Sequence, residues 1–318
     1  MPLFGIEWSI WSGIAVMVLA LLWDVVLGEP RRFHPVSGIG VVIGWLERKA
    51  PGQGKVRPFL YGLGMAILLP AALGVAVWYL GWGLVRLHEV AYLVVGTYLL
   101  KSCFSVRELG RAARGVADEL EAVHLDRARE RLTSLVSRDT VGLSPQLAAS
   151  AAVESVAENS TDSFLAPWLA FALFGLPGTV AYRALNTMDS MLGYHGRYEY
   201  LGKAAARLDD LVNFIPARLA AVLITVAAWL PGSSARRAAQ TMWHQHRRTE
   251  SPNAGWTMSA MAGALGVELQ KVGHYKLGQP GSPVGPIKIR QAVAVMHRAA
   301  VLAFLLALGV MVIRYGIF

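Results

Sequence analysis

The chain has 318 residues, of which 54% are hydrophobic and 16% charged, against about a quarter charged in an ordinary soluble domain. Thirty Lys and Arg against 21 Asp and Glu leave a net charge of +9, but a mean hydropathy of +0.43 sets that basic excess beside long uncharged runs, which excludes a soluble enzyme and makes nucleic acid a poor partner. The single Cys103 excludes an internal disulfide framework, a Cys-rich zinc site and iron-sulfur ligation, while ten each of Trp, Tyr and Phe suit membrane-water interfaces.

A spanning helix needs about 20 mostly apolar residues to cross about 30 Å of hydrocarbon. Residues 10–27 approach that length, broken only by Asp24. No Lys or Arg precedes Arg31 and no small-residue cleavage pattern follows, so the run reads as a retained first helix, not a secretory leader. Arg31, Arg32, Arg48, Lys49, Lys55 and Arg57 then put the N-terminus outside and residues 28–58 in the cytoplasm. Residues 59–85 are uncharged, with a kink expected at Pro70. Residues 91–100 span only if Ser102, Cys103 and Phe104 extend them past Lys101.

Residues 101–163 form a polar insert in which Val106, Leu109, Ala113, Val116, Leu120 and Val123 recur every three or four positions. That spacing predicts an amphipathic cytoplasmic helix, paired with a second arm over 126–136. Residues 164–182 are apolar but contain Pro167 and the FGLPG run at 174–178, so a re-entrant or broken helix pair is expected there. Residues 219–230 and 299–313 complete the apolar set, and a second polar insert, 231–298, has Gly- and Pro-rich turns at 278–286. Strand-like alternation is scarce. The expected fold is an all-α polytopic integral membrane protein of four or five spans. It forms one membrane-embedded domain over 1–318 with cytoplasmic helical inserts at 101–163 and 231–298.

Three acid and amide clusters stand out. Glu154, Glu158 and Asp162 fall at i, i+4 and i+8, on one helix face. Their mutual repulsion asks for a cation, either Mg²⁺ carried on nucleotide phosphates or arginines from other segments, unless the face is simply solvated. Asn186 and Asp189 follow Arg183 within two turns, and Asp210 and Asn213 lie between Arg207 and Arg218. Such sets offer oxygens to a metal and guanidinium forks to phosphate or carboxylate, with helix capping and interfacial charge as the plainer alternative for each. Near the first apolar run, Asp24 and Glu29 are costly at a membrane exit unless paired with Arg31, Arg32 or a substrate amine, and His34 before Pro35 carries a titratable ring suited to proton transfer, with a hydrogen-bonded structural role as the plainer alternative. Arg138 with Asp139, and Ser251 with Asn253, are short loop motifs that also suit cap and turn chemistry. No Walker A, Gly-x-Gly-x-x-Gly, His-Glu-x-x-His or Gly-x-Ser-x-Gly sequence is present, so any nucleotide uses an unfamiliar site.

In chain order, DVVLGEPRRFHP (24–35), RDT (138–140), ESVAENSTD (154–162), AP (166–167), GLPG (175–178), YRALNTMDSMLGY (182–194), AARLDDLVNFIPAR (205–218), SPNAG (251–255) and AGALG (262–266) together resemble one family. It is that of the membrane-bound cobinamide-phosphate synthases, CobD/CbiB, and the likeness covers nearly the whole chain. One stretch departs: LQKVGHYKLG (269–278) lacks the double glycine expected before its Tyr-x-x-Gly element, which bears on the shape of that loop. The resemblance implies an ATP-dependent amide ligase of a bacterial or archaeal cytoplasmic membrane, its site facing the cytoplasm. The implied substrates are the corrinoid adenosylcobyric acid, (R)-1-aminopropan-2-ol or its O-phosphate, and ATP with Mg²⁺. Membrane lipid and other late cobalamin-pathway membrane enzymes are the implied partners.

On the same ground, Glu158, Asp162, Asp189 and Asp210 are expected to hold the metal-nucleotide, with Asn159, Asn186 and Asn213 as neutral oxygens. Arg183, Arg207 and Arg218 would bind phosphate or carboxylate, with Arg138 and Asp139 in the same substrate- or nucleotide-binding set. Asp24, Glu29 and His34 would bind the aminoalcohol and accept its proton, with Glu154 beside Glu158 in the catalytic set. Ser251 and Asn253 would supply a loop over the corrinoid or nucleotide. A transporter or sensor using the same intramembrane acids is the competing expectation, and it needs no nucleotide.

Overall fold

The computed structural model describes residues 10–30, 33–52, 54–194, 196, 198–229 and 233–317. Over them the chain is helical apart from one hairpin. In order come α1 (Ile10–Val26), α2 (Pro35–Arg48), α3 (Val56–Leu87), α4 (Glu89–Cys103), α5 (Val106–Glu121), α6 (Leu125–Leu132) and α7 (Pro145–Ser160). A π-helical turn, Thr161–Leu165, leads into α8 (Ala166–Leu192), followed by α9 (Lys203–Val212), α10 (Phe214–Ala227), α11 (Ala235–Gln245), α12 (Ala254–Leu265), strands β1 (Glu268–Lys271) and β2 (Tyr275–Gly278), and α13 (Pro286–Ile317).

Among the described residues four helices are long and apolar enough to cross a membrane: Val56–Leu87, Glu89–Glu121, Pro145–Leu192 and Pro286–Tyr315. They become five if the bent pair Lys203–Val212 and Phe214–Ala227 counts as one span. At 17 residues, α1 is a shorter apolar helix. The break expected within 164–182 is confined to Gly175, whose φ of 66° and ψ of −162° are not helical. Pro167 follows directly on the π-helical turn in a helix that runs on from Pro145 to Leu192, so its missing N–H falls inside a helix and not at a helix start. The preceding π turn absorbs the register change, with Ala166 N–H donating to Thr161 O.

The chain divides into two compact units. Met1–Ser105, Pro167–Val212 and Leu306–Phe318 make the first; Val106–Ala166 and Asn213–Leu305 make the second. In the first, α1, α2 and α3 pack on α4, and α9 packs on α3. Its core gathers Ile39, Ile43, Met65, Val180, Leu185, Met188 and Leu201. The outward side of α3 exposes Leu60, Ile67, Leu68 and Val75, the surface a lipid-facing helix presents. Near its end Arg86 lies 3.7 Å over the Trp82 ring, a pairing suited to headgroup depth.

In the second unit α5 and α6 form a helical hairpin against α7, while α12 packs on α7, α10 and α11. Val106, Leu109, Ala113 and Val116 are buried as the spacing predicts, but Val123 is exposed. It lies past the end of α5 with φ of 61°, where the chain turns toward α6. Ala148, Ala149, Ala151, Ala152 and Ala157 are all fully buried, so α7 is a central helix made of small residues. The hairpin pairs Glu268 with Gly278 and Lys271 with Tyr275, and its Leu269–Leu277 pair is fully buried. Its three-residue turn needs one left-handed residue, and Gly273 supplies it at φ 79°. The second glycine missing from the sequence is not required by this turn.

Candidate functional site

The polar residues singled out in the sequence fall into the two units, and within each they meet partners the sequence did not name. In the first unit the central charge is Lys101, fully buried at the end of α4. Its ammonium lies 3.2 Å from Asp24 Oδ1, donates to Glu29 Oε1 at 2.9 Å and donates to Phe104 O at 3.1 Å. Asp24 in the last turn of α1 and Glu29 just beyond it therefore share one ammonium, that of Lys101. Arg31 and Arg32, the partners suggested by proximity in sequence, lie outside the described residues.

His34 Nε2 is 3.1 Å from Glu29 Oε2. Burial raises the Glu29 carboxyl, but hydrogen bonds from His34 and Lys101 together with the Lys101 charge outweigh it and hold the group at about 2. A carboxylate of that kind only accepts hydrogen bonds, so the His34 Nε2–H donates to it. The imidazole lone pair then sits on Nδ1, which is buried and makes no hydrogen bond among the described residues. Of the three predicted proton acceptors, Asp24 is locked against Lys101 and Glu29 is a weak base. His34 keeps an open acceptor.

A second group in this unit is built on α8 and α9. Arg183 Nη1 donates to Asn186 Oδ1 at 3.1 Å, and Asn186 Nδ2 donates to Asp209 Oδ1 at 3.4 Å. Asp209, which the sequence reading did not name, is thus an acid that reaches Asn186. Asp209 is buried, whereas Asp210 faces the exposed Arg207 at 3.9 Å. Helical spacing grouped Asp210 with Asn213, but α9 ends at Val212 and α10 begins at Phe214, so that ladder is interrupted at Asn213. Asp189 lies in the last turn of α8, its carboxylate against the backbone of Gly193, where a Cβ would not fit.

In the second unit Glu154 is the hub. Its Oε1 accepts from Ser150 Oγ at 2.8 Å, and its Oε2 accepts from Arg138 Nη2 at 3.2 Å and from Tyr275 Oη at 3.0 Å. Ser150 Oγ in turn accepts from Gln270 N–H at 2.8 Å, fixing β1 to α7. Burial first, then the negative charges of Glu154 and Glu158, push the Tyr275 phenol far above its ordinary range, so it remains a donor. One turn beyond Glu154, Glu158 is exposed and accepts no hydrogen bond among the described residues. Asn159 Nδ2 donates to Ser155 O and Ser155 Oγ, both at 3.0 Å, which leaves its Oδ1 as an acceptor. Asp162 lies in the π turn. The Nε of Arg138 is buried without a hydrogen-bond partner, an open donor beside the acids.

The loop motifs are part of this second unit as well. Asp139 Oδ1 accepts from Val141 N–H at 2.9 Å. Ser251 Oγ accepts from the N–H groups of Asn253 and Ala254 at 3.2 and 3.3 Å, opening α12. Arg218 Nη1 donates to Asn253 Oδ1 at 3.1 Å, and its guanidinium lies 3.5 Å over the Phe214 ring. Among the described residues no three or more His, Cys, Asp and Glu side chains group closely enough to hold a metal ion. Mg²⁺ riding on phosphates needs only one or two protein carboxylates, and the exposed Glu158 beside Asn159 Oδ1 has the oxygen chemistry such an ion takes.

Long apolar helices carrying buried ion-pair clusters define a polytopic helical membrane protein whose charged residues serve a task other than solubility. The profile of the family described as CobD/CbiB protein matches residues 17–302, and the chain belongs to that family. It is 45% identical over 298 residues to a cobalamin biosynthesis protein CobD of Dehalococcoides mccartyi, covering 93% of this chain and 97% of the relative. A probable cobalamin biosynthesis protein CobD of Methanothermobacter thermautotrophicus is 38% identical over 304 residues, 95% and 99% of the two chains. A cobalamin biosynthesis protein CobD of Geobacter metallireducens is 40% identical over 310 residues, 92% and 95%. No solved structure matches the chain. The chain is thus a CobD-type protein of cobalamin biosynthesis.

Proposed function

We propose that this protein is the ATP-dependent amide ligase that joins the free propionate of adenosylcobyric acid to the amine of (R)-1-aminopropan-2-ol or its O-phosphate. Membership of the CobD/CbiB family carries the reading. A carboxylate and an ammonium do not condense in water, so the carboxylate needs activation. Phosphoryl transfer from ATP to its oxygen gives an acyl phosphate and ADP, and attack by the neutral amine expels phosphate and forms the amide. Mg²⁺ supplies charge neutralisation on the transferring phosphates.

The chain's own residues suit these tasks. Glu158 and Asn159 offer oxygens to a metal, and Arg138, with an unpartnered buried Nε, offers a donor to a phosphate or carboxylate. The Glu154, Ser150 and Tyr275 bonds hold Arg138 in place. Within the first unit, taken by itself, His34 Nδ1 is an acceptor suited to an ammonium proton, oriented by Glu29 as a carboxylate orients imidazole elsewhere. We place these groups on the cytoplasmic side, where ATP is. The test is turnover in nanodiscs with adenosylcobyric acid, aminopropanol or its phosphate, and Mg-ATP, followed for amide and ADP. Amide and ADP formed together by wild type, and lost in Arg138→Ala and His34→Ala variants that keep their helical content, support the reading. Well-folded wild type that makes no amide from either aminoalcohol overturns it and favours a transporter.

A further inference from the structure

Helix α11 presents Arg237, Gln240, Thr241, His244 and Gln245 at i, i+3, i+4, i+7 and i+8, a single face. That face lines a cavity of about 350 Å³ closed by Gly263, Gly266 and the Gln279–Gly281 turn. No acidic side chain lines it. The glycines make the cavity possible: a Cβ on Gly263 would overlap Arg237 O, and Gly266 takes φ of 61° with the Arg237 guanidinium packed against it. The Arg237 guanidinium and the Gln240 amide make no hydrogen bond or ion pair among the described residues, whereas Gln245 is tied to Gly278 by two.

His244 also borders a second cavity, of about 440 Å³, lined by Trp243, His246, Arg247 and Trp256. Here the His246 and Trp256 rings stack at 3.8 Å with 24° between planes. The Trp256 Nε1–H is buried and has no hydrogen-bond partner, an orphan donor at an aromatic wall. His244 Nδ1–H donates to Gln240 O, which leaves Nε2 available to either cavity. Adjoining cavities, one cationic and amide-lined, the other aromatic with a waiting donor, match a ligand that carries phosphates on one end and a planar heteroaromatic ring on the other.

We infer that this face of α11 and the start of α12 form a nucleoside-phosphate site, with the phosphates at Arg237 and Gln240 and the ring against the exposed Trp243, beside the Trp256 Nε1–H donor. The inference rests on the ligase reading for the protein's need of a nucleotide; it seats the nucleotide phosphates at Arg237 and Gln240 and leaves Arg138 to the carboxylate that is activated. Neither Arg237, Gln240, His244, Trp243 nor Trp256 belongs to the motifs that carried the family resemblance.

Equilibrium dialysis of the full chain in phosphatidylcholine nanodiscs tests it, with ATP, inorganic tripolyphosphate and adenosine as separate probes. Arg237→Ala weakens ATP and tripolyphosphate by about tenfold or more, the worth of a charge-assisted hydrogen bond, and leaves adenosine unchanged. Arg237→Lys restores part of the loss. Trp243→Ala, at an exposed position whose change spares the fold, weakens ATP and adenosine but not tripolyphosphate; Trp256→Phe, which keeps a ring and removes the N–H, weakens the same two less. Unchanged ATP binding in Arg237→Ala and Trp243→Ala overturns the site. If the wild type still makes amide and ADP in the turnover assay, the ligase reading stands without it. Displacement of tripolyphosphate by short-chain phosphatidylglycerol and not by ATP overturns it in favour of a lipid headgroup. Absence of both ATP binding and amide formation in the wild type removes the site and the ligase reading together.

Discussion

The Lys101 ammonium and the Asp24 carboxylate face each other at 3.2 Å with both side chains withdrawn from solvent, so neither charge has water to replace its partner. Removing the Lys101 charge deprives Asp24 and Glu29 of the ammonium they share, whereas removing the Asp24 charge leaves Lys101 bonded to Glu29. Lys101→Met is expected to destabilise the protein by about 3–5 kcal/mol, the cost of breaking a buried ion pair from one side. The double variant Lys101→Met/Asp24→Asn recovers a large part of that. Thermal unfolding of the four proteins in one detergent closes the cycle, and a double variant no better than Lys101→Met alone would show that the two groups are not coupled.

Glu29 makes a pH-dependent contribution whose sign is fixed by its environment. Its carboxyl titrates at about 2 in the folded chain against an ordinary value of 4.5. Because the folded value is the lower, the contribution is complete above 4.5 and is lost as pH falls from 4.5 toward 2. Unfolding midpoints of wild type and Glu29→Gln should therefore differ by a constant amount from pH 7 down to about 5 and converge below that. A gap that keeps its size at pH 3 would mean Glu29 stabilises by packing and not by its charge.

These two contacts also mark what the sequence could and could not reveal. Composition and uncharged runs identified a membrane-spanning helical chain because the bilayer selects for exactly that signal over 20 residues at a time. Asp24 and Glu29 stood out because acids near a membrane exit need a reason. Their partner Lys101 lies more than 70 positions away, and no local pattern reports that separation. Lys101 did interrupt an apolar run, and a charge there was the available signal. Asp209 was missed for a different reason: spacing assumed one unbroken helix through Asn213, where the chain changes helix, so it did not report that Asp209 is on the side of α9 that meets Asn186. Tyr275 was hidden because its hairpin is two strands of four residues, too short for alternation to register, and because it reaches Glu154 across 121 positions.

Glycines in α3 separate packing from backbone freedom within one helix. A Cβ at Gly62 would overlap the Leu201 carbonyl, whereas at Gly64 it would meet nothing within 4 Å. Gly62→Ala must push the backbone around Leu201 away from α3 and is expected to cost about 1–3 kcal/mol. Gly64→Ala is expected to gain about 0.5–1 kcal/mol through the lower entropy of the unfolded chain. Unfolding midpoints that move in opposite directions bear this out; a parallel shift would place Leu201 away from α3.

Around Glu154 the same logic separates positioning from metal binding. Tyr275→Phe deletes one of three hydrogen bonds to a buried carboxylate, at an expected cost of about 1–2 kcal/mol in stability. Because the phenol stays protonated far above neutral pH, the variant should not alter the pH profile of turnover in the neutral range. Glu158→Gln touches no hydrogen bond among the described residues and should leave the unfolding midpoint within experimental scatter. Its effect belongs on the metal: with a carboxylate replaced by a neutral amide, the Mg²⁺ concentration for half-maximal turnover should rise about tenfold, while Tyr275→Phe leaves it where it was. Titrating Mg²⁺ at fixed ATP in the amide-forming assay distinguishes the two. An equal Mg²⁺ requirement in Glu158→Gln and wild type would remove Glu158 from the metal.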